Sequence, residues 1–302
     1  MKNCLIITLS NIGDLIMTTP IFEALNKNFP GIKIDAVGDK RSSILLKPFP
    51  YVDKIFNKNK KANFKEKFGF INLLRQTEYD LILDLRTPFL PFLLRGNKKI
   101  TNCTKKDKNQ HSVYHHFSII NKIVPDWKTP PPCKLYLSKA AEKALELNQG
   151  LSLDEEFYVV APGANWSEKI WPGVKYGLLI RTCLKQKLTN QVVLLGSNTD
   201  AEIDLDLGTS ASNILDMRGK TKLLEAVSIM NRAKLFVGND SGLGHMAASV
   251  GCKTLTLFGP GNSQRYRPWH SEGTVLLAPN SKLKHLSVYD VLEKVKGIAA
   301  CG

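Results

Sequence analysis

Lys234-Leu-Phe-Val-Gly-Asn-Asp-Ser-Gly-Leu-Gly-His-Met-Ala-Ala-Ser-Val250 decides the fold. An apolar strand, Leu235 to Val237, runs into a tight polar turn, Gly238-Asn239-Asp240-Ser241-Gly242, and a small-residue helix through Ala247 and Ala248 follows at once. The first turn of a helix carries backbone N–H groups without partners and the positive end of the helix dipole. A glycine-lined strand-to-helix turn therefore suits a phosphate held close to the backbone. An ordinary βα connection with Asp240 or Ser241 as N-cap gives the same local pattern, so the rest of the chain has to decide.

Apolar runs alternate with amphipathic stretches on both sides of this segment. Leu5–Leu9, Ile32–Val37 and Leu81–Leu85 read as buried strands, with helices expected at Ile21–Phe29 and Phe68–Gln76. In the second half, strands are expected at Phe157–Ala161, Val192–Leu195, Leu235–Val237, Thr254–Phe258 and Val275–Leu277. Helices fall between them at Val174–Lys187, Leu223–Asn231 and Leu243–Val250. Such alternation means parallel sheets covered on both faces. At 302 residues, two domains are expected, 1–150 and 151–302, with the stiff Pro130-Pro131-Pro132 and a helix at Lys139–Leu147 leading to the boundary. A last amphipathic helix, Val288–Ala300, is a candidate to cross back to the first domain. Two doubly wound domains face to face would enclose a cleft at the carboxyl ends of their strands, where ligands bind in such sheets.

Composition narrows the function classes. No window approaches the ~18 consecutive apolar residues of a membrane span. The apolar start, Cys4 to Leu9, reads as a first strand rather than a signal peptide, which places the protein in the cytoplasm. Six scattered cysteines without a C-x-x-C pair speak against zinc and disulfides, and the adjacent His115 and His116 cannot share a face as metal ligands. The net charge of +15 is lopsided: residues 1–150 carry +12 (25 Lys and Arg against 13 Asp and Glu) and residues 151–302 only +3. Basic surfaces concentrate anionic partners, be they nucleic acid, lipid headgroups or phosphorylated glycans, although a solvated lysine face gives the same count.

Three post-strand loops carry chemistry. In Ser10-Asn11-Ile12-Gly13-Asp14, Gly13 permits a sharp turn that would project Asp14 from the sheet edge as a general base; the plainer alternative is a helix cap. Pro162-Gly163-Ala164-Asn165-Trp166-Ser167-Glu168-Lys169-Ile170-Trp171-Pro172 offers Lys169 as a point charge for a phosphate. The third is the opening turn, flanked by Met217-Arg218-Gly219-Lys220-Thr221 and Phe258-Gly259-Pro260-Gly261-Asn262-Ser263-Gln264-Arg265. No G-x-G-x-x-G fingerprint of a dinucleotide dehydrogenase is present. Asp204-Leu205-Asp206 spells the D-x-D of metal-dependent sugar transferases, but lies in Ala201–Leu207, which reads as an acidic helix face.

Together these segments resemble glycosyltransferase family 9, largely lipopolysaccharide heptosyltransferases. The resemblance rests on Gly13-Asp14 with Thr18-Thr19-Pro20, Lys169 with Trp171-Pro172, Gly219 with Thr221, Asp240-Ser241-Gly242 with His245, and Phe258-Gly259-Pro260 with Arg265. It implies the GT-B architecture of two facing Rossmann-like domains, the first binding acceptor and the second donor. It also implies inverting transfer of a heptose from ADP-heptose to a lipopolysaccharide core acceptor, with no metal and no cofactor beyond the nucleotide sugar. Asp14 becomes the catalytic base and Lys169 a donor-phosphate ligand. Ser241, Gly242 and Leu243 form the pyrophosphate cradle, and Asp240 touches the transferred sugar. Asn165 and His245 join the donor side, as does Asn198, which stands where relatives often have a ribose-binding Glu. Gly13 and Arg86 are the acceptor-side candidates.

The lysines at 58, 60, 61, 65, 67, 98, 99, 105, 106 and 108 would then steer an anionic lipid-linked glycan, with peripheral membrane association through Phe64, Phe68 and Phe70 unless these are core. Two other readings remain: the same fold with another nucleotide-sugar donor or an epimerase activity, or a non-enzymatic protein that binds anionic polymers or membranes. Nothing resembles a nucleic-acid recognition helix or a base-stacking motif.

Overall fold

The computed structural model describes residues 1–59, 61–101, 107, 109–125, 127–146, 156–270 and 273–300. The chain divides into two compact units, Met1–Tyr136 and Leu137–Gly302. The division thus precedes residue 150, because the helix at Lys139–Glu146 buries Ala141 and Leu145 within the second unit. Residue 150 itself lies outside the described residues, as do Cys103, Cys301, Lys60, Lys105, Lys106 and Lys108.

Unit 1 contains β1 (Asn3–Ile7), α1 (Ile12–Ile16), α2 (Thr19–Asn28), β2 (Lys33–Gly38), β3 (Val52–Asn57), α3 (Phe64–Leu74), β4 (Tyr79–Asp84), β5 (Gly96–Thr101) and α4 (Ser112–Phe117). Its sheet is parallel, in the order β3-β2-β1-β4-β5. Cys4 to Ile7 are all buried, so the apolar amino terminus is the central strand, covered on both faces. The edge strands β3 and β5 carry exposed Asp53, Lys54, Asn97 and Lys98.

Unit 2 contains α5 (Lys139–Glu146), β6 (Phe157–Ala161), α6 (Gly173–Lys185), β7 (Gln191–Leu194), β8 (Ile214–Asp216), α7 (Leu223–Arg232), β9 (Leu235–Asn239), α8 (Gly242–Ser249), β10 (Thr254–Phe258), α9 (Ser263–Tyr266), β11 (Gly273–Leu277) and α10 (Val288–Ala300). The parallel sheet runs β11-β10-β9-β6-β7-β8. Counted from its own first strand this is the dinucleotide-fold order 3-2-1-4-5-6. Helix α10 packs on α6, and Val291, Leu292 and Val295 complete the core of this unit. It is therefore counted in the second unit.

The stretch 201–207 is not an acidic helix: a short 3-10 turn ends at Glu202, and Asp206 takes a left-handed φ of 45°. The reason lies in α6, where Gly173 and Gly177 let this segment lie directly on the helix. A Cβ on Gly177 would stand 1.5 Å from the Leu205 carbonyl. Asp206 pairs with Arg181 at 3.3 Å, and Asp204 accepts the Asp206 N–H at 3.0 Å.

The described cysteines Cys4, Cys133, Cys183 and Cys252 are buried and free, and burial pushes the last three up to about 12, leaving them inert thiols. No described helix is long and apolar enough to cross a membrane.

Candidate active site

Strand order reverses in each sheet at one point, between β1 and β4 in unit 1 and between β6 and β9 in unit 2. The carboxyl ends of those strand pairs are where ligands settle in open parallel sheets. Most sequence-selected residues lie there.

In unit 2, Ala161 is in register with Gly238, so the loop after β6 leaves beside the turn after β9. Asn239 joins them. Its completely buried amide accepts from the Trp171 N–H (3.1 Å) and the Tyr176 hydroxyl (2.9 Å). It donates to the carbonyls of Pro162 (2.6 Å) and Gly163 (3.4 Å). Trp171, equally buried, donates its indole N–H to the Leu286 carbonyl at 3.1 Å. The loop that carries Lys169 is therefore pinned at both ends. A 3-10 turn, Ser167–Lys169, lifts Lys169 back to the strand edge. There its ammonium donates to Asp240 Oδ2 at 2.5 Å and lies 5.0 Å from the Trp166 ring. The pair is largely withdrawn from water, with side-chain exposures of 19% for Lys169 and 8% for Asp240. Gly261 belongs to the same place, since a Cβ on it would stand 2.5 Å from Asp240 Oδ2.

Ser241 is the extended N-cap residue of α8, yet neither it nor Asp240 caps the helix through its side chain. Its buried Oγ has no hydrogen-bond partner among the described residues. The first turn of α8 at Gly242 and Leu243 thus keeps its backbone donors, one residue after the Lys169–Asp240 pair. His245 is buried further along α8, and Asn165 is exposed in the β6 loop. Asn198 is exposed after β7 and packs on Gly219: a Cβ there would approach Asn198 Oδ1 to 2.2 Å, and Gly219 has a φ of 71°. Arg265 is buried in α9 and donates to the Tyr266 hydroxyl at 3.1 Å.

Sequence reasoning gave no role to Asp200 and Arg218. The Asp200 carboxylate accepts from the Ser197 N–H (2.7 Å) and hydroxyl (2.8 Å) and fills the space that a Cβ on Gly163 or Gly196 would need. Arg218 forks onto Asp216 and donates to the carbonyls of Asp200 and Ile203, both at 2.9 Å. That holds the turn after β7 in place.

In unit 1, Ile7 is in register with Asp84, so the loops after β1 and β4 also leave together. Asp14 lies in the first turn of α1 and is not its cap, which is Asn11. The Asn11 amide donates to Asp14 Oδ2 at 2.9 Å. Gly13 sits at a helical position, so the turn does not draw on glycine's left-handed freedom. What aims Asp14 is the buried Thr18-Thr19-Pro20. The two hydroxyls donate to the Leu15 and Ile16 carbonyls (2.6 and 2.8 Å), ending α1, and Pro20 starts α2 in its first turn. Arg86 reaches back across β1, donating to the Ser10 hydroxyl at 2.6 Å. Buried Asp84 fixes that loop by accepting from the N–H groups of Arg86 and Thr87 and from the Thr87 hydroxyl. Burial holds the Asp84 carboxyl above the usual range against those bonds, and lowers the half-buried Lys58 ammonium with help from Arg86.

Among the described residues, no three His, Cys, Asp or Glu side chains cluster as metal ligands.

The sequence model of glycosyltransferase family 9 (heptosyltransferase) matches residues 99–296. Lipopolysaccharide heptosyltransferase 3 of Escherichia coli K12 is 25% identical over 285 residues, covering 85% of this chain and 82% of the relative. Among solved structures, E. coli ADP-heptose lipopolysaccharide heptosyltransferase II superposes with a TM-score of 0.85 at 23% identity, covering 100% of this chain and 99% of that one. E. coli heptosyltransferase WaaC with ADP gives 0.82 at 20% identity, over 98% and 99%. These likenesses show the GT-B fold of two Rossmann-like domains.

Proposed function

Since the chain belongs to glycosyltransferase family 9, we propose that it moves a heptose from ADP-heptose to the core of a lipid-linked lipopolysaccharide acceptor, with inversion and without a metal. The relatives support this reading: one is a lipopolysaccharide heptosyltransferase, and another heptosyltransferase is seen with ADP. The single observation that carries it is the Lys169–Asp240 pair beside the uncapped start of α8, a cation next to unused backbone donors at the β6/β9 reversal point. A diphosphate needs both.

In this reading unit 2 takes the donor and unit 1 the acceptor. Lys169 and the amides of Gly242 and Leu243 meet the charge that grows on departing ADP, and stabilisation at that point lowers the barrier itself. Asp240 orients Lys169 before the donor arrives and then contacts the sugar. Ser241 Oγ, Asn165, Asn198 and His245 complete the donor side. Asp14 receives the proton of the acceptor hydroxyl as that oxygen forms its bond to the anomeric carbon and the bond to ADP breaks. Asn11 holds the receiving carboxylate by one oxygen and leaves the other available. Arg86 and Lys58 attract acidic groups of the acceptor, which the enzyme meets at the cytoplasmic membrane face.

Titrating ADP against UDP by calorimetry, followed by transfer from ADP-heptose to a truncated lipid-linked glycan, tests the reading. ADP binding with addition of one heptose supports it. Preference for UDP would favour the same fold with another donor, and absence of nucleotide binding would leave an anion-binding protein.

A further inference from the structure

Unit 1 carries exposed aromatic rings to which the proposed transfer gives no role. Phe64 and Phe68 lie one turn apart on α3 and are 84% and 58% exposed. Ile71 continues their stripe and, with Phe70, lines a cavity of about 280 Å³ to which Leu90 also contributes. Leu90 belongs to the 3-10 turn Leu90–Leu93, where Phe89 and Phe92 on either side of it are 76% and 66% exposed and Leu93 is exposed as well. Phe70 itself is half-buried against the core, so the division between interface and core runs through this helix. The two segments that meet at this cavity through Ile71 and Leu90 thus each carry two exposed phenyl rings, apolar surface of the kind that marks an interaction site.

The charges of the same segments identify the partner. Between residues 57 and 75, exposed Lys61, Lys65, Lys67 and Arg75 face a single acid, Glu66, which is engaged in the capping box with Asn63. Residues 86–99 bring Arg86, Arg95, Lys98 and Lys99 and no acid. Aromatic rings interleaved with ammonium groups match the boundary of an anionic bilayer, where rings enter the acyl region and cations meet phosphates.

We propose that Phe64, Phe68, Phe89, Phe92 and Leu93, with Lys61, Lys65 and Lys67, dock unit 1 on an anionic phospholipid surface. This deepens the reading above, naming how the enzyme meets a lipid-linked acceptor, and its test does not depend on transfer. Full-length protein is sedimented with vesicles containing phosphatidylglycerol and with vesicles of phosphatidylcholine alone. The wild type should bind the former, lose that binding as salt rises, and ignore the latter. Phe64→Ser/Phe68→Ser/Phe89→Ser/Phe92→Ser and, separately, Lys61→Glu/Lys65→Glu should each weaken binding at least about tenfold while ADP affinity and melting temperature hold. Variants that bind like wild type overturn the proposal, as does a wild type that binds neither vesicle. Salt-independent binding to both vesicles overturns the anionic-surface assignment. Self-association of the wild type that the phenylalanine variant abolishes, without vesicle binding, gives the face to a second copy instead. Intact vesicle binding with no heptose transfer would sink the proposed function alone.

Discussion

Truncating Asn239 to alanine tests how the donor loop is held. The amide is completely buried and makes three well-formed hydrogen bonds, to Trp171 N–H at 3.1 Å, Tyr176 hydroxyl at 2.9 Å and the Pro162 carbonyl at 2.6 Å, plus a long one to Gly163 at 3.4 Å. Alanine leaves three buried polar groups without partners, at about 1–3 kcal/mol each. A water entering the vacated space would recover part of that. The expected loss is therefore about 2–5 kcal/mol, against typical domain stabilities of about 5–15 kcal/mol. Urea unfolding followed by tryptophan fluorescence reads it, because buried Trp171 reports on unit 2 itself. Tyr176→Phe removes one donor and should cost only about 1 kcal/mol, and in the Asn239→Ala background its cost should shrink. The folded fraction of Asn239→Ala should also bind ADP at least about tenfold more weakly, through displacement of Lys169. A loss below about 1 kcal/mol with unchanged ADP affinity would refute the role of Asn239.

Lys169→Ala removes the charge-assisted contact to the donor phosphate, so calorimetric ADP affinity should fall about 10–100-fold; equal affinity would remove Lys169 from the donor site. Asp84 has its folded carboxyl raised above the ordinary 3.8, chiefly by burial. Such a group contributes stability fully below 3.8 and loses it as pH rises through the raised folded value. Asp84→Asn should therefore flatten the decline in thermal stability on the alkaline side of 3.8, and a profile parallel to wild type would contradict that cause. Turnover should be unchanged in EDTA, while its loss on chelation and return with added divalent cation would revive a metal role for Asp204 and Asp206.

Much of the fold was legible in the chain because its central strands are buried on both faces and spell continuous apolar runs. Phe157–Ala161, Thr254–Phe258 and the helix Val288–Ala300 fall where periodicity places them. Strands β3 and β5 escaped notice as sheet edges, whose exposed Lys and Asn interrupt the apolar pattern. Helix α3 begins earlier than Phe68, at a capping box of Asn63 with Glu66 that the lysine-rich surroundings obscure. Asp204 and Asp206 mimic a helix face, but what shapes their segment is Gly173 and Gly177 of another element. The site divides the same way. Lys169, Asp240 and Ser241 were singled out by their loop positions after strands, and the structure brings the first two into a hydrogen bond beside the third. Asn239 and Arg218 act on groups distant in sequence, which leave no local pattern, whereas Asp200 and Asp84 hold their own turns through Ser197, Arg86 and Thr87. The one available signal was a polar residue ending an apolar strand, as Asn239 and Asp84 do.

Asp14→Asn offers the most direct trial, because it keeps size and removes the proton acceptor. With ADP-heptose and a truncated lipid-linked glycan, turnover should drop at least about 10²-fold while calorimetric ADP affinity stays at the wild-type value. A variant that retains about a tenth or more of wild-type turnover would show that the proton goes elsewhere.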